Sequence, residues 1–536
     1  MEITAEQPRP RAAAMPSLPA MLLDAIAHQR AGRAGQAAAL YRTALTIAPD
    51  QPQALYLAGV LELGEGRAAA AVPLLRRAVA ARPEHDGAAL HLARALIAMQ
   101  APEPALAQTM AVLARDPAAV EAWFLLGTAL AALARPDAAE AALRQALHLA
   151  PDHVSARVNL ANALVDQERW DEAEIAYRAA LARDPASGEA AASLGCLLTA
   201  RGRLNEAMAV LRAAIAANPG FAPAHWNLAE AALLAGDFAT GFNAYEWRKR
   251  HDRFRADFVD LPGPVWDGGD PAGRTILVHA EQGLGDTVQF ARYLPAIAAR
   301  GGRPVLVCDR TLIGLLGGLA GCHVVARDGV LPRYDAWIDQ MSLPRAFATT
   351  AQTIPAACGY LHADPARIAA WRARLPADPA RRRIGLCWAG NPAHSNDARR
   401  SLPAGAALVA LLAPLRAFPD IDWISLQVGP RAAEAASLGV SAPDPPLVEY
   451  ADTAALIATL DGVVSVDSSV AHVAGALGSA CAVLLPFAPD WRWLASAAET
   501  SPWYDSLRLF RQPAPGAWAA AVGTLAAALQ NRSWPV

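Results

Sequence analysis

A chain of 536 residues is too long for one hydrophobic core, and a composition that is 54% hydrophobic and 18% charged excludes bulk disorder. A net charge of -3 gives no general attraction to nucleic acid or to an anionic membrane. Six scattered cysteines (Cys196, Cys308, Cys322, Cys358, Cys387 and Cys481) lack any C-x-x-C spacing, which argues against a zinc site or a disulfide framework.

Residues 1–17 read as a loose Pro- and Ala-rich tail without the apolar centre of a secretory signal, so a cytoplasmic location is expected. The longest apolar runs, such as 406–415, are too short to span a bilayer, and no transmembrane segment is expected. From 18 to 250 the chain is periodic. Pro49, Pro83, Pro117, Pro151, Pro185 and Pro219 stand 34 residues apart, each after an Ala-rich helical stretch. A proline just beyond a helix end fixes the turn into the next repeat. Ala37, Ala71, Ala105, Ala139, Ala173 and Ala207 repeat in the same frame, as do Tyr41, Leu75, Leu143, Tyr177 and Leu211. Gly59, Gly127 and Gly195 mark alternate first helices, and the third repeat departs from the pattern at Thr109 and Val112. The frame resembles the tetratricopeptide repeat (TPR), with Trp123, Leu126 and Gly127 the best match. Six full repeats and a degenerate seventh make an all-α solenoid, whose groove suits a protein or peptide partner.

Residues 251–273 are rich in Pro, Gly and Asp and read as a linker. Short β-branched runs follow, alternating with helical stretches: 275–279, 304–308, 336–338, 383–388, 422–426, 462–466, 482–485 and 507–510. That alternation predicts parallel α/β sheets in two Rossmann-like units, 274–378 and 379–536, facing a cleft, the second ending in a helix. Ligands of such sheets sit at the carboxyl ends of strands.

Four strand-end turns carry chemistry. In Ala280-Glu-Gln-Gly-Leu-Gly-Asp286, the glycines permit close backbone approach, and Asp286 either caps the next helix or serves as a base. Asn391, Arg399 and Arg400 occupy a long polar loop after the run 383–388, where guanidinium groups suit phosphate oxygens. Gln427 ends another strand and offers an amide to a base or sugar. Asp467, Ser468, Ser469 and His472 lie between a hydrophobic strand and a helix that Gly478 can end, where amides and helix dipole attract a pyrophosphate. Farther on, the run 485–493, with Asp490 and Trp491, supplies rings that either stack on a ligand or pack the last helices.

Gly285-Asp286 with Leu294-Pro295, and Asp467-Ser-Ser-x-x-His472-x-x-Gly-Ala-Leu-Gly478, resemble the heptosyltransferase-like family 9 glycosyltransferases of the GT-B fold. The whole chain resembles bacterial TPR–glycosyltransferase fusions, some of which modify flagellin or other proteins. The resemblance implies an inverting, metal-independent transfer from a nucleotide-activated sugar to a protein held by the TPR groove, with no further cofactor and no metal ligand. It implies Asp286 as catalytic base. The expected donor-binding set is Gln282, Gly283, Gly285, Asn391, Arg399, Arg400, Gln427, Asp467, Ser468, Ser469, His472, Asp490 and Trp491. Two alternatives stand beside it: a TPR interaction scaffold with an inactive nucleotide-sugar-binding domain, and a lipopolysaccharide heptosyltransferase. A dinucleotide oxidoreductase is disfavoured because Val288 stands where Gly-x-Gly-x-x-Gly needs its third glycine.

Overall fold

The structure is a computed structural model that describes residues 17–251, 254, 258–356, 359–375, 378, 380–394, 396–495 and 498–534. The tail expected over 1–17, apart from Ser17, and Cys358 lie outside those residues. The chain forms two compact units that divide between Leu194 and Gly195.

The first unit is all-α. Helix pairs run Leu18–Arg30 with Ala34–Ile47, Pro52–Gly64 with Ala68–Ala81, Asp86–Ala98 with Pro102–Arg115, Val120–Ala132 with Pro136–Leu149, and Val154–Asp166 with Trp170–Arg183. Each second helix ends one residue before a C-cap, such as Ala48, whose N–H still bonds back to the helix. The periodic proline follows, so the helix cannot extend. Ala37, Ala71, Ala105, Ala139 and Ala173 are fully buried, because only a methyl group fits where the paired helices approach.

The alternating glycines have a steric cause. A Cβ on Gly59 would lie 2.6 Å from Leu75 Cγ, and one on Gly127 2.5 Å from Leu143 Cγ. Repeats with tyrosine in place of that leucine keep alanine sixteen residues earlier, at Ala25 and Ala161, and the Tyr41 hydroxyl donates to Gln29 Oε1 at 2.9 Å. Residue size is thus matched within each pair. Gly127→Val is expected to destabilise the first unit by about 2–3 kcal/mol through overpacking, more than valine's better helix propensity returns. Thermal unfolding followed by far-UV circular dichroism measures it.

The second unit contains the end of helix Gly188–Ala200, three further repeat helices and two parallel sheets. Helices Leu204–Ala217, Ala222–Leu234 and Phe238–Tyr245 precede the sheets, and the first of these follows helix Gly188–Ala200, in which the division between the units falls. That division comes earlier than the change of period at 250. The reason is packing: Ala222–Leu234 lies against Trp491–Trp493, and Phe238–Tyr245 against Leu343–Ala346.

The first sheet has the order β3-β2-β1-β4, with β1 Thr275–His279, β2 Arg303–Cys308, β3 His323–Ala326 and β4 Ala336–Asp339. The second has the order β6-β5-β7-β8-β9, with β5 Arg382–Cys387, β6 Ile421–Ser425, β7 Gly462–Val466, β8 Cys481–Leu485 and β9 Leu507–Arg511. All named pairings are parallel. β7 and β8 are buried at every residue, which explains their unbroken apolar runs. β3 is absent from the strands expected from sequence. It is a four-residue edge strand, only partly buried, and too short to show a period.

Two segments behave differently from their sequence reading. Within the expected linker, Trp266 is buried, its N–H donates to the Trp337 carbonyl at 2.7 Å, and Trp337 N–H donates to Pro264. The linker therefore runs along β4 as an added edge. Helix Pro365–Arg374 falls by sequence in the first Rossmann-like unit, but it packs against helix Tyr450–Ile457, which leads into β7. Arg367 there reaches Glu449 at 2.6 Å and also pairs with Asp452.

Candidate functional site

The two sheets meet through the helices that follow β1 and β7. Helix Leu284–Phe290 packs against helix Ser469–Leu477, and the contact needs a glycine: a Cβ on Gly285 would lie 2.9 Å from His472 Cδ2 and 3.4 Å from Ser469 Cα. The sequence assigns Gly285 to ligand approach, whereas the neighbour that requires it is the second turn itself. Gly285 and His472, 187 positions apart in the chain, thereby become neighbours across this contact.

Asp286 stands at the third position of its short helix and is mostly buried. Its Oδ2 accepts from Gly283 N–H at 2.9 Å, and its Oδ1 accepts from Arg492 Nη2. Arg492, 7% exposed, also donates to Asp490 Oδ1 at 2.8 Å and to Gln289 Oε1 at 3.0 Å, and its guanidinium lies 4.2 Å from the centre of the Trp491 ring. It thus ties the loop after β8 to the helix after β1. Burial pushes the Asp490 carboxyl up, but the Arg492 charge and N–H groups outweigh it and hold the group below the usual carboxylate range. Burial, with Asp490 second, pushes Asp467 up to about 6.

Ser468 caps helix Ser469–Leu477 by accepting from Val470 N–H at 3.3 Å, and Gly478 ends it with φ +74°. Ser469 Oγ accepts from the Tyr450 hydroxyl at 2.7 Å. His472 shares a hydrogen bond of 3.0 Å with the Tyr504 hydroxyl and stacks on Trp493 at 5.4 Å. Burial, and then the Arg492 charge, push its pKa down to about 3, with Arg292 and Arg400 adding to the fall and Asp490 opposing it. His472 is therefore neutral at physiological pH.

Its titration has a predictable sign. An unfolded histidine takes up a proton near pH 6.5, whereas this one resists, so the stability held above pH 6.5 drains away as pH falls toward 3. Asp467 works the other way, because its raised carboxyl binds a proton more readily when folded. Comparing wild type with His472→Gln isolates the histidine. The variant is expected to gain about 2 kcal/mol relative to wild type between pH 7 and pH 5, read from urea unfolding at both values.

The other expected residues divide into two groups. Arg400 belongs with the cluster: its charge acts on both Asp467 and His472, it packs over Gly390, and it lies 3.7 Å from Asp397. Arg399 and Asn391 are exposed, the latter closing a turn on Ala393 N–H at 3.0 Å. Gln427 is not available to a base or sugar. Its Oε1 accepts from Trp388 and Ala389 N–H at 3.1 and 2.8 Å, and its Nε2 donates to the Ala389 and Val428 carbonyls. It clamps the end of β5. Of the two readings of Trp491 the structure shows packing, not ligand stacking: it is buried against Phe242 at 5.8 Å, Tyr245 at 6.0 Å and Trp503 at 6.1 Å.

Gln282 adopts φ +67°, and its Oε1 accepts from the Tyr245 hydroxyl at 3.1 Å. Beside it, Glu281 Oε1 accepts from Arg248 Nη2 at 2.7 Å and Nε at 3.1 Å. Burial pushes the Glu281 carboxyl up to about 8 against the pull of Arg248. The turn that carries Asp286 is thus gripped by the end of the last helix pair. Sequence reasoning pointed to the stretch that ends in Tyr504 as lying near the cleft, but it missed Arg492, Tyr245 and Arg248. A signal existed for Arg492, a single cation in the aromatic run 491–493, but nothing local distinguished the others.

The fold and its periodicity define the class: tetratricopeptide helix pairs followed by an α/β region of two parallel sheets. Two sequence profiles described as tetratricopeptide repeat match the helical part, one at residues 22–86 and 125–188, the other at 62–130 and 198–240. Among characterised proteins, the chain is similar to protein FlbA of Caulobacter vibrioides, 29% identical over 330 residues that cover 56% of this chain and 54% of FlbA. The chain thus spans about half the length of the curated relative it matches. Similar solved structures include a thermophilic TPR protein of Thermus thermophilus, with 26% identity over 34% of this chain and 99% of that one (TM-score 0.32). Another is a tetratricopeptide repeat protein of Parabacteroides merdae, with 16% identity over 44% of this chain and 93% of that one (TM-score 0.39). No helix among the described residues is long and apolar enough to cross a membrane.

Proposed function

We propose that this chain is a GT-B-type glycosyltransferase that moves a sugar from a nucleotide-activated donor to a hydroxyl of a protein, flagellin or another surface protein being candidate acceptors. The repeats mark a protein-binding surface, which favours a protein over a lipid acceptor. The observation that carries the reading is the contact of the Asp286 turn with the Asp467–His472 turn, at the carboxyl ends of two parallel sheets. That is where open α/β sheets bind nucleotides.

In the proposed reaction the acceptor O–H gives its proton to Asp286, and its oxygen bonds to the anomeric carbon. The bond from that carbon to the donor phosphate breaks, and the nucleotide leaves with the electron pair. Arg400, Arg399 and the N-terminus of helix Ser469–Leu477 offer positive charge to the departing phosphate. Arg492, from the loop after β8, orients Asp286.

Incubating the full chain with labelled nucleotide sugars and host proteins is expected to give a labelled protein band. Asp286→Asn is expected to lower the rate by about 10²–10⁴-fold, the usual contribution of a positioned base. Labelling by the variant at the wild-type rate removes Asp286 from that role. One observation favours the scaffold alternative: both Asp286 oxygens already have partners. Under that alternative, calorimetry detects nucleotide binding while no sugar is transferred.

A further inference from the structure

The geometry points to a divalent-cation site formed by His279, Glu281 and Asp339 at the carboxyl edge of the first sheet. It is independent of the transferase reading. His279 ends β1 and Asp339 ends β4, and the two are register partners in adjacent parallel strands. Glu281 follows two residues after His279. Their side chains therefore converge, and all three residues are buried, with 4%, 1% and 2% exposure in the order 279, 281, 339.

What singles out the cluster is the set of atoms left over. Glu281 Oε1 takes the Arg248 N–H groups and the Met341 N–H, while Asp339 Oδ2 faces Lys249 Nζ at 2.9 Å. Glu281 Oε2 and His279 Nδ1 are buried with no hydrogen-bond partner. His279 Nδ1 lies 3.5 Å from Asp339 Oδ1, and one donor atom from each of the three residues lies within 4.8 Å of the others. Buried polar atoms without partners are costly, and a shared ligand satisfies several at once.

The donor set selects the ligand. One imidazole and two carboxylates suit a borderline first-row ion of the Zn²⁺ class, whereas Ca²⁺ needs six to eight oxygens. Bonds of about 2.0–2.2 Å put neighbouring donors of a tetrahedron about 3.4 Å apart. The His279–Asp339 pair already has that spacing, and the remaining separations, within 4.8 Å, would have to shorten on binding. A bound ion would fasten the end of β1, from which the Asp286 turn departs.

The test uses the full chain, stripped with chelator and titrated with Zn²⁺ by calorimetry and with Co²⁺ by visible absorption. One equivalent is expected to bind, with a rise in Tm for Zn²⁺ and four-coordinate d–d bands for Co²⁺. His279→Ala is expected to weaken binding by more than the roughly 10–100-fold that loss of an outer-shell partner costs. His279→Cys supplies a thiolate in the same place and is expected to keep the ion and add sulfur-to-cobalt charge transfer. The proposal is overturned if the stripped wild type binds no stoichiometric ion, if His279→Ala titrates as wild type does, or if Co²⁺ in His279→Cys shows no sulfur ligation. The first of these outcomes would leave His279 as a plain buried neighbour of Asp339.

Discussion

Replacing Arg492 with Met is expected to destabilise the second unit by about 3–5 kcal/mol, the usual loss when one partner of a buried charge cluster is removed. Arg492 is 7% exposed and holds three acceptors: Asp286, Asp490 and Gln289. Without it, two carboxylates, one on the helix after β1 and one on the loop after β8, remain with no guanidinium between them. Two features pull the expected loss toward the lower end. The Asp286 side chain is 18% exposed and keeps its bond from Gly283, and Asp490 keeps the backbone N–H of residue 492. Arg492→Lys is expected to retain the charge but not the fork that reaches three partners, and so to recover only part of the loss. Tryptophan fluorescence during urea unfolding is the suitable measurement, because of fourteen tryptophans only Trp123 and Trp170 lie in the first unit. A loss below about 1 kcal/mol, the range of an exposed ion pair, would contradict the clasp.

The second large effect is expected at Arg248. Its side chain is fully buried and donates to Glu281, to Ser342 Oγ at 2.8 Å, to Glu246 Oε1 at 2.9 Å and to the Tyr245 carbonyl at 3.2 Å. Arg248→Met leaves Glu281 buried with only the Met341 N–H, and a loss of about 3–5 kcal/mol follows. Protonation of Glu281 limits that loss, since burial already pushes its carboxyl up to about 8. Raising the pH should therefore deepen the defect. Replacing both partners, Arg248→Met with Glu281→Leu, is expected to restore most of the stability, because an apolar pair needs no compensating charge. If the double variant is as unstable as the single one, the Arg248–Glu281 interaction is not the source of the loss.

These two arginines also show where sequence reading stops. The first helical period was legible because each repeat is a local event: a proline after each second helix, an alanine at each close approach, a glycine opposite a leucine of the partner helix. The strands of both sheets were legible for a similar reason, since β7 and β8 are buried on both faces and read as unbroken apolar runs. The capping pair Ser468 and Gly478 was visible because caps act within one turn. By contrast, β3 carries too few residues to display a period, and the linker at 264–266 pairs with β4 through backbone groups that no side-chain pattern encodes.

Residue types at strand ends picked out two turns that pack against each other, but not the partners of their side chains. Gln427 and Trp491 looked available in sequence, and both are consumed by packing or backbone clamps. Arg492 looked incidental, although it meets Asp286, 206 positions away. By itself the sequence determined the repeat register, the switch from helical to α/β architecture and the turns that hold Asp286 and His472. Only the tertiary structure decided that those turns touch, that Arg492 and Arg248 are buried between elements, and that His279, Glu281 and Asp339 converge. The physical reason is range. Periodicity and capping are set by neighbours within a few residues, whereas buried charge pairing depends on which distant segments the folded core brings together.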